Sequence, residues 1–487
     1  MASFQSLTRQ NEIGANSYLL SLGDNRIVLD SGLHPRETGN DALPNFSLLN
    51  DTHVDGIVVT HPHLDHVGSL PVLQRRHHHS KVFLTHPTAD LTEAMLHNSV
   101  SVMTSQREQL EIREYPLFTH KEIDQIQSAW EIRAPDRPFP IGNHGDPVEC
   151  EFYDAGHVLG SVGTMFRHND LKVFYTGDVH FEDQTLSRQA AFPEGPVDVV
   201  ITETTRGDSP RPADYSRSSE STRFAEAINA TIQRGGSVLI PVFALGKTQE
   251  ILTLIHELRS RGEIPANAPV FIGGLSTKMT TIYDAHAQSA RRHHPGFKIL
   301  DDMELLLTLP RQRRRRRDKR PAPPEPSPGC IYALSSGMVT ENTVSNAFAR
   351  NLLPDPRHSI LFVGYADPET PGGKILDAQH GDLITLHPDE PPVLLGARVE
   401  KFDFSGHAPR DHIVDAIDRL SPKKILLVHG DPSSLEWTAQ ELRQRRPRGG
   451  RRRRPPGRPG GGGGGPPARA RRRAPPGGGG GGRAGPP

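Results

Sequence analysis

The chain has 487 residues, with 57 basic and 57 acidic side chains and a hydrophobic fraction of 34%. The equal totals conceal an uneven distribution of charge along the chain. Residues 443–487 hold 14 Arg and no acidic residue, so the first 442 residues carry 43 basic and 57 acidic side chains, a net charge of −14. No apolar run approaches the ~18–20 residues of a membrane span. Cys150 and Cys330 are too few for a disulfide framework. The composition excludes a membrane protein, a small disulfide-rich secreted protein and a wholly disordered chain, and it favours a cytoplasmic protein.

Short apolar runs rich in Val, Ile, Phe and Tyr predict β-strands in the first 203 residues. These strands are expected at 17–22, 26–29, 54–60, 81–85, 148–153, 172–176 and 197–202, with a helix at 91–103. From about residue 207 helices and strands alternate, which indicates a parallel sheet with crossover helices. Helices are predicted at 218–233, 247–259, 277–292, near 341–351 and at 411–420. Strands are predicted at 237–243, 269–274, 331–334, 359–365, within 383–404 and at 423–430.

Two segments have compositions that do not favour packing. Residues 311–329 combine a basic run with several prolines and are predicted to form a loop or linker, although the run could also place charge beside a nucleic-acid site. Residues 443–487 consist of Arg, Gly, Pro, Ala and one Gln, and they are predicted to be a disordered tail. An RNA-binding arm and a wrong-frame translation of GC-rich DNA are the alternatives for this tail.

The densest group of candidate metal ligands follows the strand predicted at 54–60. His61, His63, Asp65 and His66 fall within six residues. Imidazole and carboxylate are ligands that suit zinc, and alternate residues can face one metal while the next pair faces another. Two such ions ~3.5–4 Å apart form a hydrolytic site. A polar surface cluster is the alternative, but it does not explain four candidate ligands at the end of an apolar strand.

Further candidate ligands share one context, the carboxyl end of an apolar run, where sheet proteins place their sites. They are Asp30, His157, Asp178, Glu203 and His429. Each of them alone would be an ordinary turn residue, and only the cluster at 61–66 makes them a set. Other histidines lack this context and are expected to be ordinary polar residues, among them His120, His286 and His380.

The motif HxHxDH, preceded by VLDSG and followed by AGH and TGD, resembles the metallo-β-lactamase fold. TETTRGD, a long insert, DFSGHAPRD and LLVHGD resemble the β-CASP nucleases, which include the mRNA 3′-end cleavage factors and their bacterial and archaeal relatives. IPVFALGKTQEIL and ALSSGMVTENTVS resemble the inserted domain of that group. The resemblance covers about residues 10–440. It implies an α/β fold, in which residues 1–206 and 395–442 form a metallo-β-lactamase αββα sandwich and residues 207–394 form an inserted α/β β-CASP domain.

The resemblance also implies a metal-binding role for each candidate ligand. One zinc ion would be held by His61, His63 and His157. A second would be held by Asp65, His66 and His429. Asp178 would bridge the two ions, and Asp30 would orient a ligand from behind, as outer carboxylates commonly do for metal-bound histidine.

The resemblance implies catalytic and substrate-binding roles as well. Asp65 would receive the proton of the attacking hydroxide. His407 would protonate the leaving 3′ oxygen, and Glu203 would hold His407. Ser336 and Gly337 match a loop that lies over the cleft in relatives and would contact the RNA backbone, with a plain strand-to-helix turn as the alternative.

The predicted function is therefore zinc-dependent hydrolysis of RNA phosphodiester bonds by a two-metal mechanism, in RNA processing or decay. RNA is the predicted partner, no membrane is involved, a homodimer is possible, and endonucleolytic and 5′-exonucleolytic modes stay open. The alternative is a hydrolase of the same fold that acts on a small molecule or on DNA. The interval of about 250 residues between Asp178 and His429 disfavours a small-molecule enzyme, and the presence of His429 favours RNA over DNA. The acidic body works against RNA binding, but zinc ions would dominate the local field.

Overall fold

Two six-stranded sheets lie face to face in the computed structural model, which describes residues 2–10, 12–142, 145–307 and 326–445. The first sheet contains β1 (Ala2–Ser6), β2 (Tyr18–Leu22), β3 (Asn25–Leu29), β4 (Gly56–Val58), β5 (Lys81–Leu84) and β6 (Trp130–Ile132). The second contains β7 (Phe139–Ile141), β8 (Val148–Asp154), β9 (Val162–His168), β10 (Leu171–Tyr175), β11 (Val199–Glu203) and, from the end of the chain, β20 (Lys424–Val428).

Each of the two sheets is part parallel and part antiparallel. In the first, β1, β2 and β3 pair antiparallel, whereas β3, β4, β5 and β6 run parallel. In the second, β20, β11 and β10 run parallel, and β10, β9, β8 and β7 pair antiparallel. Parallel neighbours end at the same edge of a sheet, so the residues that follow β10, β11 and β20 are brought together.

A third sheet is parallel throughout, with the order β14-β13-β15-β12-β16-β19. Its strands are β12 (Val238–Pro241), β13 (Val270–Phe271), β14 (Leu305–Leu306), β15 (Ile331–Leu334), β16 (Ser359–Phe362) and β19 (Arg398–Lys401). A small antiparallel pair, β17 (Leu383–Ile384) and β18 (Val393–Leu394), lies apart from it. Both faces of β12 are buried: Val238 and Ile240 pack into one apolar core and Leu239 into another. Burial on both faces explains the continuous apolar run that predicts this strand.

Helices cover the outer faces of the sheets. They are α1 (Leu64–Val67), α2 (Leu70–Arg76), α3 (His86–Leu110), α4 (His120–Ile126), α5 (Arg217–Gln233), α6 (Lys247–Ser260), α7 (Leu275–Ala285), α8 (Ile299–Asp302), α9 (Val344–Leu352), α10 (Pro371–Asp377), α11 (Arg410–Leu420) and α12 (Pro432–Arg445). Helices α1 to α4 pack on the first sheet, and α11 and α12 pack on the second. One apolar core, with Leu20 and Phe152 among its members, fills the space between these two sheets. The predicted αββα sandwich with a further α/β part is confirmed.

Helix α3 is much longer than the helix predicted at 91–103. The Thr85 side chain caps its start by accepting a hydrogen bond from the Thr88 backbone N–H, and Pro87 occupies its first turn, where a missing N–H costs nothing. These local signals lie before the apolar pattern on which the prediction rested. The helix therefore begins at His86, directly after β5.

Some predicted boundaries differ from the observed elements. Strand β19 pairs with β16 of the third sheet, although it lies in the segment 395–442 that the sequence assigns to the sandwich. Helix α12 runs to Arg445, into the start of the predicted tail. The rest of that tail, 446–487, and most of the predicted loop 311–329 lie outside the described residues. No helix in the described ranges is long and apolar enough to cross a bilayer. The domain limits themselves stay a prediction.

Candidate metal centre

The histidine motif lies in the turn between β4 and α1. His61 and His63 follow the strand in extended chain, and His63 is the N-cap of the short helix α1, with φ −68° and ψ 147°. Asp65 and His66 lie on that helix. The change from extended to helical backbone sends the two pairs of side chains to different positions, as the sequence pattern predicts.

The remaining candidate ligands arrive from the second sheet. Asp178 follows β10, Glu203 ends β11, and His429 follows β20. Because these three strands are adjacent and parallel, their carboxyl ends meet beside the motif. His157 comes from the loop after β8. All seven predicted metal ligands are brought together by this arrangement.

The ligand atoms form two groups. In the first, donor atoms of four side chains lie within 4.8 Å of one another, and these side chains are His61, His63, His157 and Asp178. The second group satisfies the same limit and contains Asp65, His66 and His429. The division of the ligands between two sites matches the one implied by the family resemblance.

Asp178 faces both groups, with one carboxylate oxygen toward each. Its Oδ2 lies 3.5 Å from Nε2 of His61 and 3.7 Å from Nε2 of His157. Its Oδ1 lies 3.4 Å from Nε2 of His66 and 3.4 Å from Nδ1 of His429. This is the placement that a bridging carboxylate requires.

The donor atoms fit a metal because some of them have no other partner. Nε2 of His61 and Oδ1 of Asp178 are buried, and neither has a hydrogen-bond partner among the described residues. A buried polar atom left unpaired is costly, and a bound cation removes that cost. Burial lowers the pKa of His61 and of His157 well below the ordinary value, so their rings are neutral and offer lone pairs.

Asp30 fixes the orientation of His66 from outside the group. Its Oδ2 accepts hydrogen bonds from Nδ1 of His66 at 2.9 Å and from the Tyr175 hydroxyl at 2.7 Å. The donation from Nδ1 leaves Nε2 of His66 turned toward the ligand group. Burial alone would lower the pKa of His66, but the carboxylates of Asp178, Asp65 and Asp30 raise it to about 10. The centre thus carries an excess of negative charge that cations would balance.

Two more rings are held by neighbouring loops. Nδ1 of His157 donates to the Gly406 carbonyl at 2.8 Å, and Nδ1 of His429 lies 2.8 Å from the Thr205 hydroxyl. The sequence pattern does not mark Gly406, Thr205 or Tyr175 as residues of the site, nor Thr60, whose hydroxyl donates a hydrogen bond to Oδ2 of Asp30 at 2.9 Å. Thr60 and Tyr175 stand beside recognisable motifs, but the direction of their hydroxyl groups follows only from the folded structure.

His407 and Glu203 form a separate pair beside the centre. Nδ1 of His407 lies 3.1 Å from Oε2 of Glu203 and 3.8 Å from Oδ2 of Asp178. Glu203 is buried and accepts a hydrogen bond from the Val179 backbone N–H at 2.6 Å, whereas 25% of the His407 side chain is exposed. Although burial opposes both shifts, His407 lowers the pKa of Glu203 to about 2, and Glu203 raises the pKa of His407. The predicted pairing of these two residues is present.

Ser336 and Gly337 follow β15 in the third sheet. The Ser336 hydroxyl accepts a hydrogen bond from the Thr340 backbone N–H at 3.0 Å. A Cβ added to Gly337 would lie 3.0 Å from backbone and ring atoms of Phe243, so a larger residue here would require Phe243 to shift slightly. The hydrogen bonds found in the described ranges join neither residue to the ligand groups. Their contact with RNA stays a prediction.

Comparison with known families accounts for this arrangement. Residues 11–228 match the model of the metallo-beta-lactamase superfamily, and residues 248–375 match that of the Beta-Casp domain. Residues 393–448 match the Zn-dependent metallo-hydrolase RNA specificity domain. The chain belongs to the β-CASP group of the metallo-β-lactamase superfamily. These matches and the grouped histidine and carboxylate side chains indicate that this β-CASP protein binds metal.

Individual relatives are similar over most of this chain. Endoribonuclease ysh1 of Schizosaccharomyces pombe is 28% identical over 446 residues, which are 89% of this β-CASP chain and 55% of that protein. Transcription termination factor FttA of Cenarchaeum symbiosum is 28% identical over 454 residues, 91% of this chain and 68% of that protein. Cleavage and polyadenylation specificity factor 73 of Drosophila melanogaster is 27% identical over 443 residues, 87% of this chain and 59% of that protein. The chain spans about half the length of the fungal endoribonucleases that it matches.

Proposed function

We propose that this β-CASP protein is a zinc-dependent ribonuclease that hydrolyses RNA phosphodiester bonds. The observation that carries the proposal is the Glu203–His407 pair directly beside a complete two-part ligand set. The ligand set alone would suit any two-metal hydrolase. The additional pair supplies a proton donor, which a reaction that expels a poor alkoxide leaving group needs.

We infer two zinc ions per chain. One ion would be held by His61, His63 and His157. The other would be held by Asp65, His66 and His429. Asp178 would bridge them, since its two oxygens face the two groups. Zinc favours imidazole and carboxylate ligands, and two bound ions supply Lewis-acid stabilisation and a nucleophilic hydroxide.

The protein's own side chains would move the protons. Asp65 lies at the second group, with Oδ2 3.2 Å from Nε2 of His429. Burial opposes the shift, but the charge of His66 and the hydrogen bond with His429 lower the pKa of Asp65 below its usual range. The carboxylate is therefore ionised and can accept the proton of the attacking water.

His407 would donate a proton to the leaving 3′ oxygen. Glu203 holds Nδ1, which leaves Nε2 for the substrate, and the part of the ring that is exposed makes it reachable. The negative charge of Glu203 favours the protonated ring. General acid catalysis of this kind typically contributes about 10²–10⁴-fold to a rate.

RNA is the proposed substrate because of the C-terminal match and the relatives. The model that matches residues 393–448 is described as an RNA specificity domain, and the fungal relatives are named endoribonucleases. DNA is the alternative substrate that the experiment below distinguishes. A homodimer and the domain limits 1–206, 207–394 and 395–442 stay proposals. A cytoplasmic location is also a proposal, supported by two cysteines that are both free thiols.

The decisive assay compares end-labelled substrates of identical sequence. RNA with a 5′-hydroxyl, RNA with a 5′-phosphate and single-stranded DNA are incubated with the zinc-loaded protein, and the products are sized. Internal fragments from both RNAs indicate endonucleolytic cleavage, and mononucleotides from the 5′-phosphate form indicate a 5′-exonuclease. Faster hydrolysis of DNA than of RNA would contradict the proposal.

A further inference from the structure

A third group of metal-ligand side chains lies outside the centre. It consists of His86, Asp90 and His286, whose donor atoms lie within 4.8 Å of one another. Oδ2 of Asp90 lies 2.7 Å from Nε2 of His286 and 3.8 Å from Nε2 of His86. The sequence predicts that His286 is a surface or ordinary polar residue, and the structure buries its ring beside Asp90.

The group joins two separate parts of the chain. His86 and Asp90 are four residues apart at the start of α3, a spacing that places both on one helix face. His286 is the C-cap of α7, which follows β13 of the third sheet. The match to the metallo-beta-lactamase model contains α3, whereas the match to the Beta-Casp domain contains α7. A ligand bound by all three side chains would therefore tie these two parts together.

The same two helices hold the loop that begins at His157. The side chains of Thr85 and Thr88, at the start of α3, donate hydrogen bonds to the Gly160 carbonyl. The Tyr283 hydroxyl, on the last turn of α7, accepts a hydrogen bond from the Leu159 backbone N–H at 3.2 Å. His86 adjoins Thr85, and His286 lies one helical turn after Tyr283. The third group is therefore adjacent to residues that hydrogen-bond the loop carrying His157, a candidate ligand of the metal centre.

We propose that His86, Asp90 and His286 form a third site for a divalent transition metal of the zinc class, which clamps α3 to α7. Two imidazoles and one carboxylate, with a water as the fourth ligand, are a common tetrahedral set. Tetrahedral ligand atoms about 2.0–2.2 Å from such an ion lie about 3.3–3.6 Å from one another. The two separations from Asp90, 2.7 and 3.8 Å, lie on either side of this range, and all donor atoms lie within 4.8 Å, so the proposal requires rotation of the exposed His86 and Asp90 side chains.

A plain hydrogen bond between His286 and Asp90 is the competing explanation. It accounts for the 2.7 Å contact, but it gives no role to His86, whose ring lies edge-on to that of His286 with 4.9 Å between the ring centroids. His86 and Asp90 are partly exposed, with 66% and 39% of their side chains accessible. The site can therefore exchange metal with solvent. The positive end of the α3 dipole disfavours a cation, but this effect is weak at exposed positions.

The test measures zinc bound to the full chain at equilibrium. Wild type, His86→Ala, Asp90→Asn and His380→Ala are dialysed against the same series of buffered Zn²⁺ concentrations, and bound zinc is counted by atomic emission. His86 is exposed, and Asn keeps the shape of Asp90, so both variants are expected to fold. His380 is an exposed histidine outside every ligand group found in the described ranges, which makes it the matched control.

We expect wild type and His380→Ala to bind one zinc more per chain than the other two variants, or to bind the last zinc at least about tenfold more tightly. The zinc-dependent rise in melting temperature should shrink in the same two variants, because binding to the folded state stabilises it. Equal stoichiometry, affinity and melting behaviour in all four proteins would overturn the third site. The expected difference is one bound zinc ion in addition to those of the metal centre. The result therefore does not depend on whether the protein cleaves RNA.

Discussion

The candidate metal-ligand groups and the Glu203–His407 pair are both built from neighbouring histidines and carboxylates, yet they use the imidazole differently. His66 is buried, with Nδ1 donating to Asp30 and Nε2 3.4 Å from Oδ1 of Asp178. His407 has Nδ1 beside Glu203, and a quarter of its side chain is exposed. In the first case both ring nitrogens are committed inside the protein. In the second, one nitrogen is left for a partner from outside.

This difference in contacts suits His66 to binding a cation and His407 to transferring a proton. A metal ligand must present a fixed nitrogen that is free of its proton once the cation is bound, and the hydrogen bond at the opposite side of the ring provides that orientation. A general acid must be protonated and must reach the substrate. The comparison therefore predicts that changes in the two regions produce different kinds of defect, which the following experiments separate.

The largest effect is expected from loss of the metals. Chelation, or the substitution Asp178→Ala, should abolish measurable RNA hydrolysis, since one carboxylate faces both ligand groups. Zinc content is measured beside activity, and the chelated wild type should recover when zinc is restored. Full activity in a protein that holds one zinc ion or none would exclude the two-metal account.

The next largest effect is expected at the pair. His407→Ala should keep both zinc ions and RNA binding but lose about 10²–10⁴-fold in cleavage rate. Glu203→Gln keeps an acceptor for the Val179 N–H and removes the negative charge. Because the two residues act as a unit, the double variant should be no slower than His407→Ala. Additive losses would mean that Glu203 acts independently of the histidine.

A smaller loss is expected at the edge of the second ligand group. His429→Ala should weaken one zinc site and reduce RNA cleavage by ~10–100-fold or more. Unlike the defect of His407→Ala, this one should diminish when free zinc is raised, because a weakened site can be filled by mass action. Unchanged zinc affinity in this variant would remove His429 from the ligand set.

The smallest effect concerns the loop that carries His407. The Lys247 ammonium donates to the Phe404 carbonyl at the start of this loop. Burial lowers the pKa of Lys247 from 10.5 to about 8. As the pH rises, Lys247 loses its proton at a lower pH in the folded state than in the unfolded state. Between about pH 8 and 10.5 the unfolded state therefore binds more protons, and the unfolding free energy rises with pH.

Lys247→Met should lose this rise in the unfolding free energy, which is on the order of 3 kcal/mol. Chemical denaturation at several pH values measures it as the difference between wild type and variant, and the exposed Lys278 provides the control substitution Lys278→Met. If Lys247→Met and wild type show parallel pH profiles, the lysine is not the titrating group.

The sequence is sufficient to name the candidate ligands that the structure brings together, but not the residues that surround them. His61, His63, Asp65 and His66 are adjacent in the chain, and the other ligands each follow an apolar strand, so local patterns identify them. The contact of Asp30 with Tyr175 spans 145 residues, and that of His286 with Asp90 spans 196. Such pairings depend on which strands and helices become neighbours, and no local pattern encodes this.

Local features explain two differences between the predicted and the observed helices. The Thr85 cap and Pro87 place the start of α3 ahead of its apolar pattern, which begins near Leu91. Helix α12 was not predicted because few of its residues are buried, among them Ser434, Thr438 and Leu442. A weak apolar stripe gives a weak helical signal.

The central claim is that His407 acts on the proton and not on the metals. The most direct measurement compares His407→Ala with wild type on RNA and on a nitrophenyl phosphodiester, whose leaving group needs no proton, with His429→Ala as the parallel variant. We predict that the deficit of His407→Ala is about 10²–10⁴-fold on RNA and nearly vanishes on the nitrophenyl ester, whereas His429→Ala is impaired on both. An equal loss on the two substrates in His407→Ala would contradict the account and assign His407 to the metal centre or to the fold.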